Sequence, residues 1–521
     1  MDKKLLALIC LAWTVSLRGG TPDSIGVTVL RQVDPTLTGT AVRVAQPEAG
    51  YDLGTNWEVN PGAVGQPVSL FTYTSAAGST NSFPNSLSSE SGHADSVAAN
   101  FYGIPSGVAT NIARVDNYDA DYFYNSIVAT NVINDPVVNQ SFIFCNSDYS
   151  HLALSDEELV DSQYDDYAAQ YNTLFVSGAG NGGPTNQAQV YPAATCYNGL
   201  GVAAYGGSSC IGPTLDNGRC KPDITAPAGV TSFSTPLVAG AAAVVVQAAS
   251  RGDGGANTNA ASDPRSIKAL LLNGAIKPNG WTNGAASPLD ARYGAGVVNA
   301  FNSWAQLKGG QHGCIASTTN SSGGAHPLGS NTNNEPALSG WDYSAISTRT
   351  TNDTVNHYYF NLPAANAYTL TVTLVWNRQY GKTGINDLDL FLYNAANSNL
   401  VTCSTSRVDN VEHIYLPALA AGRYDLQVLK NGSAAQVSEG ETYALAFEMF
   451  TMPLSVGLTN GDAVISWAVA PTGFQLQSAA SLAPPVLWTL VTNAVGIANN
   501  RNVVTLPLGS NQFFRLYRPA F

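Results

Sequence analysis

Charge is scarce in this chain: Asp, Glu, Lys and Arg make up only 11% of 521 residues, with 23 Lys and Arg against 36 Asp and Glu, for a formal net charge of −13. So few basic residues exclude nucleic acid and anionic membrane surfaces as partners, because both are held first by Lys and Arg. Long apolar runs are also scarce. Leu5 to Leu17, behind Lys3 and Lys4, falls short of the ~20 residues a helix needs to cross a bilayer. It reads as a signal peptide over residues 1–20, although Leu17-Arg18-Gly19-Gly20 lacks an Ala-x-Ala cleavage pattern. No later segment is expected to span a membrane, and the location implied is extracellular, secreted or on the cell surface. There is no Cys-x-x-Cys and no His-x-x-x-His, so zinc is not indicated and the chemistry is expected to need no cofactor. Seven cysteines leave six beyond Cys10, an even count that permits disulfides in an exported chain. Cys210 with Cys220 is the favoured pair, and Cys145 with Cys196 and Cys314 with Cys403 are further pairings.

The chain is rich in small residues at one telling place. From Pro236 the run Leu-Val-Ala-Gly-Ala-Ala-Ala-Val-Val-Val is small or apolar all round, which predicts a helix threading a core. Proline fits the first turn, so Ser232 and Ser234 are expected at the mouth of that helix. A serine there either caps the helix or acts as a nucleophile whose developing oxyanion meets unpaired N–H groups and the positive end of the dipole.

The decapeptide Thr231 to Gly240 resembles the nucleophile motif of the subtilisin-like serine peptidases, Gly-Thr-Ser-x-Ala-x-Pro-x-Val-Ala-Gly, with Ser232 as nucleophile and Val230 in place of the glycine. Ser91-Gly92-His93-Ala94-Asp95-Ser96-Val97-Ala98 resembles the histidine motif, which implies His93 as general base on a short helix running to Gly103. Ser177-Gly178-Ala179-Gly180-Asn181 follows a short strand and resembles the segment whose asparagine, here Asn181, faces the oxyanion; the plain alternative is an Asn-Gly turn. The first strand, Gly39 to Ala45, should end in Asp-Thr-Gly or Asp-Ser-Gly. It is followed instead by Gln46-Pro47-Glu48-Ala49-Gly50, with Glu48 at the aspartate position and Glu58 in reserve. One extra methylene displaces a carboxylate by more than about 1 Å unless the backbone sets back, and errors of that size can cost ~100-fold in rate.

The resemblance extends further. Pro136 to Phe142 is similar to the strand lining the substrate cleft, which implies Ser141, Phe142, Gly178 and Gly180 as substrate-binding residues, and Lys221-Pro222-Asp223-Ile224 is similar to the segment ahead of the nucleophile. The stretch from Ile224 to Ser232 is short for the family and suggests an open cleft. Ser155-Asp156-Glu157-Glu158 reads as a capping box for a helix through Gln170. Strand, helix, strand order implies an α/β fold, a subtilisin-like parallel sheet covered by helices, with its site at the carboxyl ends of the strands. This domain is expected over 21–308. The family's usual propeptide is not evident between the signal and the first strand.

Residues 309–335 read as a linker of Gly, Ser, Asn and Thr. Tyr368 to Trp376 then alternates with period two, and Asp389–Tyr393, Arg423–Val428 and Thr442–Phe447 read as short strands, so a β-sandwich is expected over 336–452. It resembles the jelly-roll, P-like domains that follow subtilase domains. Asp387, Asp389 and Asp409 are candidate hard-oxygen ligands for structural calcium, or simply acids at strand ends. Residues 453–521 read as a small β module.

The reading is a secreted serine endopeptidase of proteins or peptides, in which Ser232 attacks, His93 relays the proton, Glu48 orients His93, and Asn181 with the Ser232 N–H holds the oxyanion. The competing class is an inactive subtilase fold used for binding or adhesion, motivated by Glu48, Val230, the short loop and the missing propeptide. A third keeps the nucleophile for esters.

Overall fold

The computed structural model describes residues 22–50, 55–182, 188–316, 337–347, 355–363, 367–431, 437–459, 461–499, 501–507 and 512–517. The expected signal peptide and most of the expected linker lie outside the described residues.

Short, apolar, β-branched segments bounded by turns build the first sheet. Its strands are β1 (Arg43–Glu48), β2 (Phe71–Ser75), β3 (Gly78–Thr80), β4 (Arg114–Asp119), β5 (Val137–Gln140), β6 (Leu174–Gly178), β7 (Leu200–Tyr205) and β8 (Ile224–Pro227). They lie in the order β3-β2-β4-β1-β5-β6-β7-β8, all parallel except the β3 hairpin on β2. Every residue of β5 and β6 is buried, as expected of parallel strands covered on both faces. The sequence order of the strands reverses between β1 and β5, which puts the switch point of the sheet at their carboxyl ends. Pairing of β1 with β5 stops at Ala45, two residues before Pro47, which has no N–H to give, so the strands part where the site lies.

The helix Thr231–Ser250 runs against β5, β6 and β7. It is long and apolar enough to cross a membrane, contrary to the expectation that no later segment would be, but 94% of its apolar window is buried in protein. Its start also differs from expectation: it begins at Thr231, so Pro236 sits in the second turn. The proline tolerated there cannot bond the carbonyl of Ser232, four residues back. The Ser141 hydroxyl takes that carbonyl instead, at 3.0 Å. Val230, where the motif has glycine, is extended with φ −148° and ψ 160°, a conformation that suits a β-branched residue.

Two antiparallel sheets follow. One has the order β10-β17-β12-β15, from β10 (Ser339–Ser347), β12 (Tyr368–Trp376), β15 (Val411–Leu419) and β17 (Gly440–Phe450). The other has the order β14-β13-β16-β11-β9, from β9 (Ile315–Ala316), β11 (Val355–Leu362), β13 (Leu388–Asn394), β14 (Leu400–Ser404) and β16 (Gly422–Lys430). A core including Tyr358, Leu374, Leu390, Leu426 and Phe447 lies between them. Strands from Ser455–Thr459 to Phe513–Tyr517 form two further small sheets.

The alternation of β12 marks two buried faces rather than a core face and a wet one. The helix Pro264–Asn273 packs on β12 and β17, and Thr371 and Thr373 both donate to Asn273 Oδ1, at 2.8 and 3.0 Å. Trp341, Val375, Val411, Ala444 and Ala446 belong to the same apolar core as the first sheet and its helices.

Two local expectations fail. The helix after β5 spans Leu154–Tyr171 with Ala153 at its N-cap and no side-chain cap, so Ser155 lies inside the first turn and forms no capping box. No disulfide joins the six cysteines. Cys210 shares an apolar cluster with Cys145 and accepts the Gly182 N–H at 3.1 Å, Cys196 belongs to a different cluster, and the Cys220 N–H is turned toward Asp409. Cys314 meets the Ser344 hydroxyl at 3.3 Å, while Cys403 sits opposite Phe391.

Candidate active site

Glu48 is the last residue of β1, and at 1% exposure its carboxylate is withdrawn from water. The helix Gly92–Phe101, capped by Ser91 Oγ on the Ala94 N–H, presents His93 in its first turn. His93 Nδ1 lies 3.0 Å from Glu48 Oε2. Its other nitrogen, Nε2, is buried with no hydrogen-bond partner among the described residues, and the ring lies near Phe233, centroid to centroid 6.1 Å.

The second Glu48 oxygen, Oε1, accepts the Gln46 side-chain N–H at 2.8 Å. The same amide donates to the Ala94 carbonyl at 3.0 Å, and its oxygen accepts the Tyr102 hydroxyl at 2.6 Å. Neither Gln46 nor Tyr102 figures in the motif reading. The signal was present in the strand itself: residues i and i+2 share a face, so Gln46 must lie beside Glu48. The reserve acid, Glu58, is held by Asn85 Nδ2 at 3.1 Å, and the ion pair to His93 among the described residues comes from Glu48.

Ser232 stands in the first turn of its helix and is 5% exposed. Its hydroxyl is turned toward the Ser141 carbonyl, at 3.5 Å, and no hydrogen bond joins it to His93. Around it the first-turn donors are mostly spoken for. Thr231 gives its N–H and hydroxyl to Asn181 Oδ1, at 2.8 and 2.7 Å, and Phe233 and Ser234 give their N–H groups to the Val230 carbonyl. The pattern leaves the Ser232 N–H. It also fixes the Asn181 amide, because a backbone N–H demands the oxygen end and so directs the donor end away from Thr231.

Ser141, Phe142, Gly178, Gly180, Asn181 and Ser232 line one small pocket together with Ile143 and Thr231. Gly180 has φ +100°, and a Cβ there would lie 2.8 Å from the Tyr191 ring, so the pocket wall requires glycine.

The three β-domain aspartates are not gathered. Asp387 accepts from Asn431 Nδ2 at 3.0 Å, and burial beside Asp387 pushes the Asp389 carboxyl up to about 7. Asp409 is taken by Ser406 Oγ, at 2.6 Å, and by the Cys220 N–H, at 2.7 Å. Among the described residues no three His, Cys, Asp or Glu side chains are grouped to hold a metal ion.

Residues 73–296 match the family model described as the Subtilase family, a span that takes in His93, Asn181 and Ser232 and begins after Glu48. The chain carries a subtilase-family domain. Residues 354–430 match the bacterial pre-peptidase C-terminal domain, so the subtilase sheet is followed by a second named module. No curated protein matches the chain in sequence. Among solved structures, tripeptidyl peptidase 2 is similar at 14% identity and TM-score 0.31 over 75% of this chain and 43% of that one. The periplasmic lysozyme inhibitor PliG of Aeromonas hydrophila is similar at 17% identity and TM-score 0.16, over 24% of this chain and 96% of that one. The chain spans less than half the length of tripeptidyl peptidase 2.

Proposed function

We propose that this protein is a serine endopeptidase exported from the cell, with Ser232, His93 and Glu48 as its triad. The observation that carries the reading is the buried imidazole: Nδ1 is tied to a carboxylate at 3.0 Å, while Nε2 is left without a partner among the described residues, on a ring that lies near Phe233, the residue after Ser232. A carboxylate on Nδ1–H selects the tautomer whose Nε2 lone pair accepts a proton, which is what a general base needs. Ser232 Oγ then turns from the Ser141 carbonyl, loses its proton to His93 Nε2 and bonds the scissile carbonyl carbon. The carbonyl oxygen takes the negative charge and is met by the Ser232 N–H and Asn181 Nδ2. His93 returns the proton to the departing amine, and water repeats the sequence to release the acyl group. Side chains of a peptide or protein substrate enter the pocket bounded by Phe142, Gly178 and Gly180.

The hydroxyl orientation supports one competing reading, a subtilase fold retained for binding. Reaction of the purified protein with a fluorophosphonate probe separates the two, because only an activated serine is phosphonylated. An adduct mapped by peptide mass spectrometry to residue 232, with casein cleavage that the probe abolishes, is the expected result; folded protein that takes up no probe would overturn the peptidase reading. Adduct formation without casein cleavage would favour an esterase.

Asn181→Ala is expected to lower kcat/KM by about 10²–10³ with KM little changed, since the lost donor acts on charge that exists only in the transition state. Steady-state kinetics on a chromogenic peptide measures it.

A further inference from the structure

We propose that Gln46 is a positioning residue that holds Glu48 and the His93 helix in one rigid unit, and that it makes a glutamate serviceable where the subtilase motif has aspartate. The inference rests on the peptidase reading for its kinetic consequence and on geometry alone for its structural one. Glutamate carries one more rotatable bond than aspartate, so a carboxylate on the longer arm is placed less tightly unless something grips it. Gln46 grips it. The two side chains leave β1 on the same face, and Nε2 donates to Glu48 Oε1 at 2.8 Å and to the Ala94 carbonyl at 3.0 Å. One amide therefore joins the acid to the backbone of the residue after His93.

The amide is itself held. Its oxygen accepts the Tyr102 hydroxyl at 2.6 Å, and burial raises the Tyr102 phenol well above its ordinary range, so it remains a donor. The Gln46 carbonyl accepts from Asn117 Nδ2 at 2.8 Å, and Asn117 Oδ1 accepts the Val59 N–H at 3.0 Å. Gln46, Asn117 and Tyr102 are 0% exposed. A buried network in which Gln46, Asn117 and Tyr102 are all partnered fixes one geometry, and an amide turned over would put two donors, or two acceptors, face to face. Asp95, whose carboxyl is pushed up to about 7 by burial and further by Glu90 and Glu48, accepts the Asn60 N–H at 2.7 Å and forms no hydrogen bond with Gln46 or Glu48 among the described residues.

Gln46→Met keeps the volume and removes the donor. The expected result on the intact protein is an unchanged fold by circular dichroism, unchanged KM and kcat lowered about tenfold. A purely structural role would lower kcat and leave the place of the proton on the His93 ring unchanged. The second readout needs no activity. Nitrogen-15 NMR of histidine-labelled protein is expected to show His93 in the Nδ1–H form in the wild type and a shifted tautomer balance in Gln46→Met. Tyr102→Phe, which frees the amide to turn, is expected to shift it in the same direction by less, and serves if Gln46→Met does not fold. Unchanged His93 resonances in a folded variant overturn the proposal even where the wild type proves inactive; shifted resonances in an inactive wild type sustain the clamp and sink the peptidase reading alone.

Discussion

Glu48→Gln is expected to lower kcat/KM by about 10⁴, the loss that follows when the base is locked in the wrong tautomer. The carboxylate accepts at both oxygens, from His93 Nδ1 at 3.0 Å and from Gln46 Nε2 at 2.8 Å. A glutamine at this position has one oxygen for two donors. Gln46 claims it, because turning its amide over would sacrifice the bonds to Tyr102 and Ala94. The new NH₂ then faces Nδ1, which has to accept, and the ring carries its proton on Nε2. An Nε2 that already holds a proton cannot take one from Ser232. Glu48→Asp tests the same geometry from the other side. It restores the residue of the subtilase motif but withdraws the carboxylate by about 1.5 Å, one carbon–carbon bond, so a loss of about 100-fold is expected. The ordering wild type, then aspartate, then glutamine, read from kcat/KM with an unchanged circular dichroism spectrum, is specific to a clamped glutamate. An aspartate variant as active as the wild type would show that the carboxylate position is not set as described.

Motifs made the chemistry legible where it sits in continuous sequence, and missed it where partners come from different elements. Ser232, His93 and Asn181 each lie in a run of small residues at a strand or helix end, and the family model spans all three. Glu48 lies outside that span, and only its place at the end of the first strand pointed to it. Gln46 was as visible in the strand period as Glu48. It went unread because a glutamine has no chemistry of its own until Tyr102 and Ala94 lie beside it. The helix start was misjudged for a related reason. Pro236 suggested a first turn, but its unmet acceptor, the Ser232 carbonyl, is satisfied by Ser141 from sequence-distant β5's end. The period-two alternation of β12 carries no sign that Asn273 of the subtilase domain takes both Thr371 and Thr373. Cysteine parity allowed disulfides; it could not report that Cys210 and Cys220 face different neighbours.

The same cross-domain packing yields the other large effect. Arg378→Ala is expected to destabilise the protein by about 3–5 kcal/mol at neutral pH, because it strips a buried carboxylate of its counter-charge. Arg378 belongs to the β region yet is 5% exposed, inserted into the subtilase domain. Its Nε lies 3.1 Å from Asp165 Oδ2, an ion contact outside hydrogen-bond alignment, and Nη2 reaches Asp166 Oδ1 at 2.9 Å and the Ser162 carbonyl at 2.7 Å. Asn198 clasps its backbone from both sides, accepting the N–H at 2.8 Å and donating to the carbonyl at 2.9 Å. Burial raises the Asp165 carboxyl, and Arg378 is the largest influence holding it down. Without the guanidinium that carboxyl rises further, so the folded variant keeps a proton that the unfolded chain releases above about pH 4. The deficit against wild type therefore grows as pH rises from the wild-type carboxyl's own raised value toward the variant's higher one, and shrinks in acid. Urea unfolding of both proteins at about pH 5 and about pH 8 measures it. A loss below about 1 kcal/mol, equal at both pH values, would mean that Arg378 behaves as a surface pair and that the β region is a separable appendage. The expected loss, in a single transition, would mean that the pre-peptidase C-terminal domain is built into the fold of the subtilase domain.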